Sequence, residues 1–519
     1  MNFFLLRSTL GLAALAFLVP VHAARQCPMT TVTGPRTAPG DHFGQSLALV
    51  GDELIVSAPH EGLPGLGGNF GIVRVLQRDG AGWFLRQTLS GERHGHAFGE
   101  SVACDGRTLA VLAPHYFGDA PGEPSQLYVY ERGASGWQLA AEHLAEGPRK
   151  VPSFLLVRAL AVAGDWIFVG GISSTTGAVH VFQRTAGTWA HVDVLRPAVP
   201  SPAFGVALAT DGDTLAVGAS LDGSAAPAGG VVHLFERSGG TWSPGAVLTP
   251  ADPSAGQSFG QYVSLSGDRL VIGASGDDAV AADAGALYVF ERGAGGWGES
   301  AKLAPLDLAP GARLGVSRIE GERVIGLAGS ELLTFEVSGG AWSELPRVAR
   351  QGSGQSLALS GDLAALGEPS ADVAALAGGA VEVFAFDGRP CRTLATPRPV
   401  SWGKQRLELD RGPAHAGHAY WLSGSLRGTL RGIAYRGTRI PLDLDAYFLD
   451  LVRHPNSGLF TNNLGVLDSN GRASLVLDVP PAFAAQYSNL VVHHAFVEFG
   501  PAGFEHVSNA VTFRFGRVD

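Results

Sequence analysis

A Phe-Gly pair that returns at a fixed interval limits this chain to a repeat architecture. It stands at Phe43-Gly44, Phe98-Gly99, Phe204-Gly205 and Phe259-Gly260, at steps of 55, 106 and 55 residues. Phe154-Leu155 divides the double step, Leu314-Gly315 continues the series, and Ser353-Gly354 opens a shortened last copy, which makes seven. Each copy has the same internal order. A short apolar strand such as Gln45–Val50 runs into a Gly-Asp turn, as at Gly51-Asp52, Gly164-Asp165, Gly267-Asp268 and Gly361-Asp362. A second strand ends in small residues, as in Leu215–Ser220 and Leu270–Ser275, and a variable loop follows. The third strand is the most regular, as in Gly71–Arg78, Gly230–Arg237 and Gly285–Arg292. A glycine-rich hairpin then leads to a tryptophan (Trp83, Trp137, Trp189, Trp242, Trp297, Trp342) that opens a fourth strand.

One such unit is a four-stranded antiparallel sheet that cannot bury both its faces alone. Stacking copies around an axis solves this and leaves only short, protected edges. Glycine, 72 of 519 residues, is near twice its usual share of about 7%, yet 45% of residues are hydrophobic and come in short runs. Many short strands, rather than disorder, account for both numbers. The expected fold is all-β: a seven-bladed β-propeller of four-stranded blades, with an open solenoid of sheets as the rival, followed by a β-sandwich domain.

The Phe-Gly pair, the small cluster Gly218-Ala219-Ser220 or Gly273-Ala274-Ser275, and the Gly285–Phe290 strand together resemble the FG-GAP repeat of the integrin α-subunit propeller. The resemblance covers roughly residues 40–390. That family carries calcium on Asp-x-Asp-x-Asp-Gly loops between the first two strands. Here those loops have shrunk to Asp105-Gly106, Asp211-Gly212-Asp213 and Glu320-Gly321-Glu322. Calcium needs six to eight oxygen ligands, so these turns are read as turn geometry, and no metal or other cofactor is expected in the chain.

The start of the chain reads as a secretory signal: Arg7, an apolar run over Ser8–Val21, and Val21-His22-Ala23 before a cut after Ala23 or Ala24. The domain reading is therefore 1–24 signal peptide, 25–396 propeller, 397–402 linker and 403–519 C-terminal sandwich. Of three cysteines, Cys27 precedes the first Phe-Gly where other copies place the fourth strand of the preceding blade, and Cys391 lies where others start that strand. Both reach one blade from opposite ends of the chain, which predicts a Cys27–Cys391 disulfide across the closure. Cys104 has no matching partner and reads as a buried free thiol.

Beyond Pro397 and Pro399 the repeat stops, and short strands are expected at Arg406–Leu409, Ala419–Ser425, Ala473–Val479, Leu490–Phe499 and Ala510–Phe515. The stretches Leu464–Ala473, His493–Val497 and Val507–Val511 are similar to a C-terminal module of secreted planctomycete and related bacterial proteins, which implies an exported bacterial protein and no particular activity.

No catalytic motif emerges. His415, His418, His493, His494 and Glu498 contain donor types for zinc, but adjacent residues of a strand point to opposite faces, so they read as structural or surface groups. Asp277, Asp278 and Asp283 read as a solvated acidic loop, and the tryptophans as packing. A net charge of −10 without a basic cluster speaks against nucleic acid. The expectation is a monomeric, exported, non-catalytic binding or adhesion protein without a membrane span. Loops at 60–70, 115–125, 221–228, 275–284 and 369–377 would meet a protein or polysaccharide. The alternatives are an extracellular polysaccharide-acting enzyme with a site in the funnel, or an architectural part of an envelope or surface layer.

Overall fold

In a computed structural model of the chain, the described residues are 27–32, 40–62, 70–79, 82–91, 97–114, 125–144, 156–172, 176–349, 354–370 and 379–386, and towards the C-terminus 394–395, 403–410, 415–425, 433–435, 438–440, 449, 456, 460–479, 491–501, 503–507 and 511–514. The structure is all-β, and its repeated part is built from four-stranded antiparallel sheets like propeller blades. The first is made of Leu47–Val50, Glu53–Ala58, Ile72–Asp79 and Gly82–Ser90, paired in chain order. The same order recurs in the second to sixth copies. In the sixth the outer position is shared by Ala341–Glu344 and Val348–Ala349, both paired with Glu331–Ser338.

The last sheet departs from chain order in an informative way. Its three strands, Ser356–Ser360, Leu363–Glu368 and Ala380–Ala385, are completed by the N-terminal strand Cys27–Val32. The pairing is antiparallel, with Cys27 opposite Ala385 and Val32 opposite Val381. A strand from the N-terminal side therefore takes the outer position of this sheet, as the position of Cys27 predicts. Cys391 lies outside the described residues, and so do Phe154-Leu155 and residues 1–24, where a signal peptide is expected.

The first strand of each sheet touches the first strand of the next. The circuit passes through Leu47–Val50, Ser101–Cys104, Leu156–Ala163, Phe204–Thr210, Phe259–Ser266, Ser317–Glu320 and Ser356–Ser360, and returns to Leu47–Val50. Between neighbouring sheets lies one apolar layer after another. Phe43, Phe98, Phe204 and Phe259 are fully buried in these layers, as is Leu314 at the same position. Each such side chain removed from water contributes roughly 1.5–3 kcal/mol.

The seams explain why the repeat needs its glycines. Gly71, Gly230, Gly285 and Gly379 have φ of +76°, +85°, +78° and +88°. A Cβ there would overlap the backbone of Phe98, Phe259, Leu314 and Phe43 respectively, each the aromatic or leucine position of the next sheet. A second row lies alongside: a Cβ on Gly218, Gly273 or Gly367 would overlap the carbonyl of Gly260, Gly315 or Gly44. The Phe-Gly backbone is thus clasped between two glycines of the preceding sheet. Backbone bonds stitch the same seam, from Phe259 N to Gly229 O at 2.8 Å and from Leu314 N to Ala284 O at 2.9 Å. Gly379 against Phe43 is the same contact made across the chain's two ends.

The repeated tryptophans are packing residues. Trp83, Trp137, Trp189 and Trp242 are buried. Two of them are also pinned by the sheet before. Glu53 accepts from Trp137 Nε1 at 2.9 Å and from Arg132 at 2.5 and 3.1 Å, and Arg132 lies 4.4 Å over the Trp137 ring. Glu131 repeats this for Trp189 at 3.1 Å and Arg184 at 2.8 Å.

The C-terminal part has its own sheets. One contains Leu394–Ala395, Gly403–Asp410, Arg472–Val479 and Phe460–Thr461; another contains Leu464–Val466, Ala419–Ser425, Val491–Gly500 and Gly503–Val507, with Val511–Arg514 also on Val491–Gly500. Leu422, Leu475, Phe496 and Val497 are its fully buried apolar residues among those described. Sequence patterning locates five of these strands within a few residues and misses the short ones.

The seam makes a direct prediction. Gly285→Ala combines a left-handed backbone with a collision against Leu314, and should cost at least about 3 kcal/mol. Gly293→Ala, with open space around its Cβ and an ordinary φ, should change stability by less than about 1 kcal/mol. Denaturant titration of the two variants checks this; equal losses would contradict the seam.

Candidate functional site

Antiparallel meanders send their connections alternately to two edges. The turns joining strands one and two, and three and four, leave one edge. The loops joining strands two and three, and the links between sheets, leave the other. On the first edge the turns are minimal. Gly51, Gly164, Gly267, Gly321 and Gly361 have φ between +56° and +58°, the first central position of a type II′ hairpin. At three of these turns the acidic neighbour meets arginine, Asp52 with Arg78 at 3.5 Å, Asp165 with Arg184 at 3.8 Å and Arg107 at 3.6 Å, and Asp362 with Arg323 at 3.4 Å, as Asp213 beside Gly212 meets Arg237. Asp105 and Asp211 accept backbone N–H groups of their own turns. The carboxylates of this edge hold turns and guanidinium groups.

The other edge carries the long loops, and their stems rest on buried acids that sequence reading misses. In three copies the second residue after the second strand's small cluster is acidic: Glu61, Asp222 and Asp277. Each acid's backbone carbonyl accepts from the glycine before the third strand, Gly71 at 3.0 Å, Gly230 at 2.9 Å and Gly285 at 3.0 Å. Each is only 2–7% exposed.

The carboxylates of Glu61 and Asp277 meet partners on the third strand, and that of Asp222 meets two serines outside it. Glu61 takes a two-pronged bond from Arg74, at 2.5 and 2.7 Å. Asp222 accepts from Ser201 Oγ and from Ser224 N at 2.8 Å, with His233 on the far side of Ser201 at 3.3 Å. Asp277 Oδ2 lies 2.6 Å from the Tyr288 hydroxyl, 2.7 Å from Gln257 Nε2 and 2.9 Å from Lys302 Nζ. Burial alone would raise the Asp277 carboxyl; hydrogen bonds from Tyr288, Lys302, Gln257 and the Ala279 amide outweigh it and hold it below the usual range. Burial and the neighbouring carboxylates of Asp277 and Asp252 push the Tyr288 phenol up.

Asp277 corrects the reading of a solvated acidic loop. Asp278 and Asp283 are exposed, but Asp277 is 2% exposed and anchors the loop from below. The loops at 221–228 and 275–284 are described in full; most of those at 60–70, 115–125 and 369–377 lies outside the described residues.

A second constellation lies in the C-terminal part. His415 Nδ1 and His418 Nδ1 stand 2.6 and 2.7 Å from one oxygen, Oε1 of Glu498. Glu498 is fully buried, and the two imidazoles are 22% and 15% exposed. The pair sits on a tight turn, with His418 N donating to His415 O at 3.1 Å and Gly417 N donating to Leu467 O at 3.0 Å. Glu498 lies on Val491–Gly500, opposite Tyr420 of the strand that follows the turn. Sequence reasoning named these three residues together with His493 and His494 but did not join them. The structure brings the three together. His493 and His494 occupy successive positions on the same strand as Glu498, and their side chains lie outside those described.

Cys104 is a free, half-buried thiol whose pKa burial pushes up to about 12, so it stays protonated and is a poor nucleophile. Among the described residues no helix is long and apolar enough to cross a membrane.

Comparison with known proteins bears on the repeat. The FG-GAP repeat family model matches residues 242–290, which span the fourth strand of one sheet and the first three of the next. No curated protein matches the chain in sequence. Among solved structures, the β-propeller domain of the Trilobed protease from Pyrococcus furiosus is similar over 66% of this chain and 90% of that one, at 9% identity and a TM-score of 0.40. Saccharomyces cerevisiae Sqt1 is similar over 66% of this chain and 83% of that one, at 13% identity and a TM-score of 0.40.

One titration follows from the geometry. Burial, His191 and Arg196 bring the His180 pKa down to about 4, and His180 Nδ1 lies 3.1 Å from His191 Nε2. Between the unfolded value near 6.5 and 4, the unfolded chain binds a proton that the folded chain refuses. Stability is therefore full above pH 6.5 and falls as pH drops towards 4. Because the ring is partly exposed, His180→Asn should remove only about 1–2 kcal/mol of that fall. Denaturant midpoints of both proteins from pH 7 to pH 4 check it; parallel curves would contradict it.

Proposed function

We propose that the seven sheets are the blades of one closed β-propeller, that the C-terminal part is a β-sandwich, and that the protein is an exported, non-catalytic binding or scaffold protein. The FG-GAP repeat supports a binding role. The observation that carries the reading is the asymmetry of the two edges. One ends in two-residue turns, and the carboxylates of Asp52, Asp105, Asp165, Asp211, Asp213 and Asp362 there are used internally. The other holds long loops on stems fixed by Glu61, Asp222 and Asp277. Loops on a rigid scaffold are where recognition residues usually lie.

The axis supports the non-catalytic part of the proposal. The seven inner strands contain three charged residues, Arg158, Arg318 and Glu320, and no aspartate or histidine. Paired carboxylates for acid–base work have no source there. The ligand is a protein or polysaccharide outside the cell, met by exposed loop residues such as Leu221, Asp278 and Asp283.

A glycan and protein array probed with the secreted chain tests this. Binding should be lost, by tenfold or more in apparent affinity, when Leu221, Asp278 and Asp283 are changed together to serine, and kept when Asp268 on the turn edge is changed. Equal binding by both variants would overturn the assignment of the face.

Export and closure can be read in one measurement. Mass spectrometry of the unreduced secreted protein should find a new N-terminus after Ala23 or Ala24, and a peptide pair linked through Cys27 and Cys391 that separates on reduction. An uncut N-terminus would remove export by this signal; two free thiols would remove the disulfide.

A further inference from the structure

We infer that His415, His418 and Glu498 form a binding site for a divalent transition-metal ion of the zinc class, independent of the propeller's loops. Three donor atoms from two separate parts of the chain, 83 residues apart in the case of His415 and Glu498, converge so that all lie within 4.8 Å of one another. The donor set is two imidazole nitrogens and one carboxylate oxygen. Imidazole suits zinc, copper and nickel, whereas calcium and magnesium call for shells of oxygen. Two histidines and one glutamate are also a set that binds zinc through three protein ligands and leaves a fourth position open.

The local structure places these groups as a site rather than as a chance contact. The His-x-x-His spacing closes on itself through the His418 N to His415 O bond, and the rings stand edge to face with centroids 5.2 Å apart. Gly417, with φ of +80°, lets the turn reverse, and Leu467 clamps it from both sides, accepting from Gly417 N and donating to His418 O at 2.9 Å. Glu498 shares its strand face with Phe496 at the core of this part of the chain, and both are fully buried. A carboxylate is costly on such a face unless it is compensated, and a bound dication supplies compensation at the one oxygen both imidazoles approach. Tetrahedral zinc separates its donors by about 3.3 Å, wider than the 2.6 and 2.7 Å found here. Loading therefore opens the cluster outwards, on the side where the two imidazoles reach solvent.

Metal content of the full secreted chain tests this directly. The protein is stripped with chelator, dialysed against zinc chloride and analysed for bound zinc, with cobalt in place of zinc giving a visible spectrum. One equivalent of zinc, with the d–d absorption of tetrahedral cobalt, is expected for the wild type and for a His180→Asn/His191→Asn control, which removes a separate close pair of imidazoles. Glu498→Gln should weaken binding on the order of a hundredfold, at or beyond the upper end of what a mere supporting partner contributes. Should Glu498→Gln fail to fold, His418→Asn on the half-exposed turn gives the same reading, with near-ultraviolet dichroism confirming its fold. A wild type that takes up no zinc has a hydrogen-bonded clamp and not a metal site, and the inference falls. It falls equally if both folded variants keep their zinc, or if the control loses it.

Discussion

The repeat depends on one close approach: the backbone of each Phe-Gly pair lies against glycines of the sheet before it. At Gly285 the meeting partner is Leu314, at Gly230 it is Phe259, and at Gly379 it is Phe43. No side chain fits between them. At these seams neighbouring sheets are therefore held at a spacing that only glycine permits, and the phenylalanine or leucine beside each fills the layer that this spacing leaves. The three sequence marks of the repeat are thus one device. The Phe-Gly pair, the glycine of the small cluster and the glycine before the third strand are the two sides of a single contact.

That device also closes the structure. The contact of Gly379 with Phe43 joins residues from the two ends of the repeat in the way that Gly230 and Phe259 join neighbours in sequence. The pairing of Cys27–Val32 with Ala380–Ala385 adds the strand that would otherwise leave an open sheet edge. With the seams rigid, the loops of one edge can vary in length and composition while their stems stay fixed.

Much of this is legible in the residues. Alternation and spacing locate the strands of the repeat, and the place of Cys27 reveals which sheet the N-terminus completes. The physical role of the glycines is not legible, because a collision between sheets depends on distances that spacing does not contain. Asp277 illustrates a second limit. It stands among Asp278 and Asp283 in a loop that reads as solvated, and only the partners that fold against it (Gln257, Tyr288 and Lys302) make it a buried anchor. The cluster of His415, His418 and Glu498 illustrates a third. Its turn and its strand are far apart in sequence, and the adjacent His493 and His494 draw attention to an arrangement that strand geometry disfavours.

The central claim is that the N-terminal strand closes the ring as an integral part of the last sheet. Native-state hydrogen exchange measures this directly. Amides of Thr30–Val32 and of Ala380–Ala385 should open only with the global unfolding of the repeat, at the same free energy as those of Phe259–Ser266. Exchange of Thr30–Val32 at the rate of a free chain end, with the other strands still protected, would contradict it.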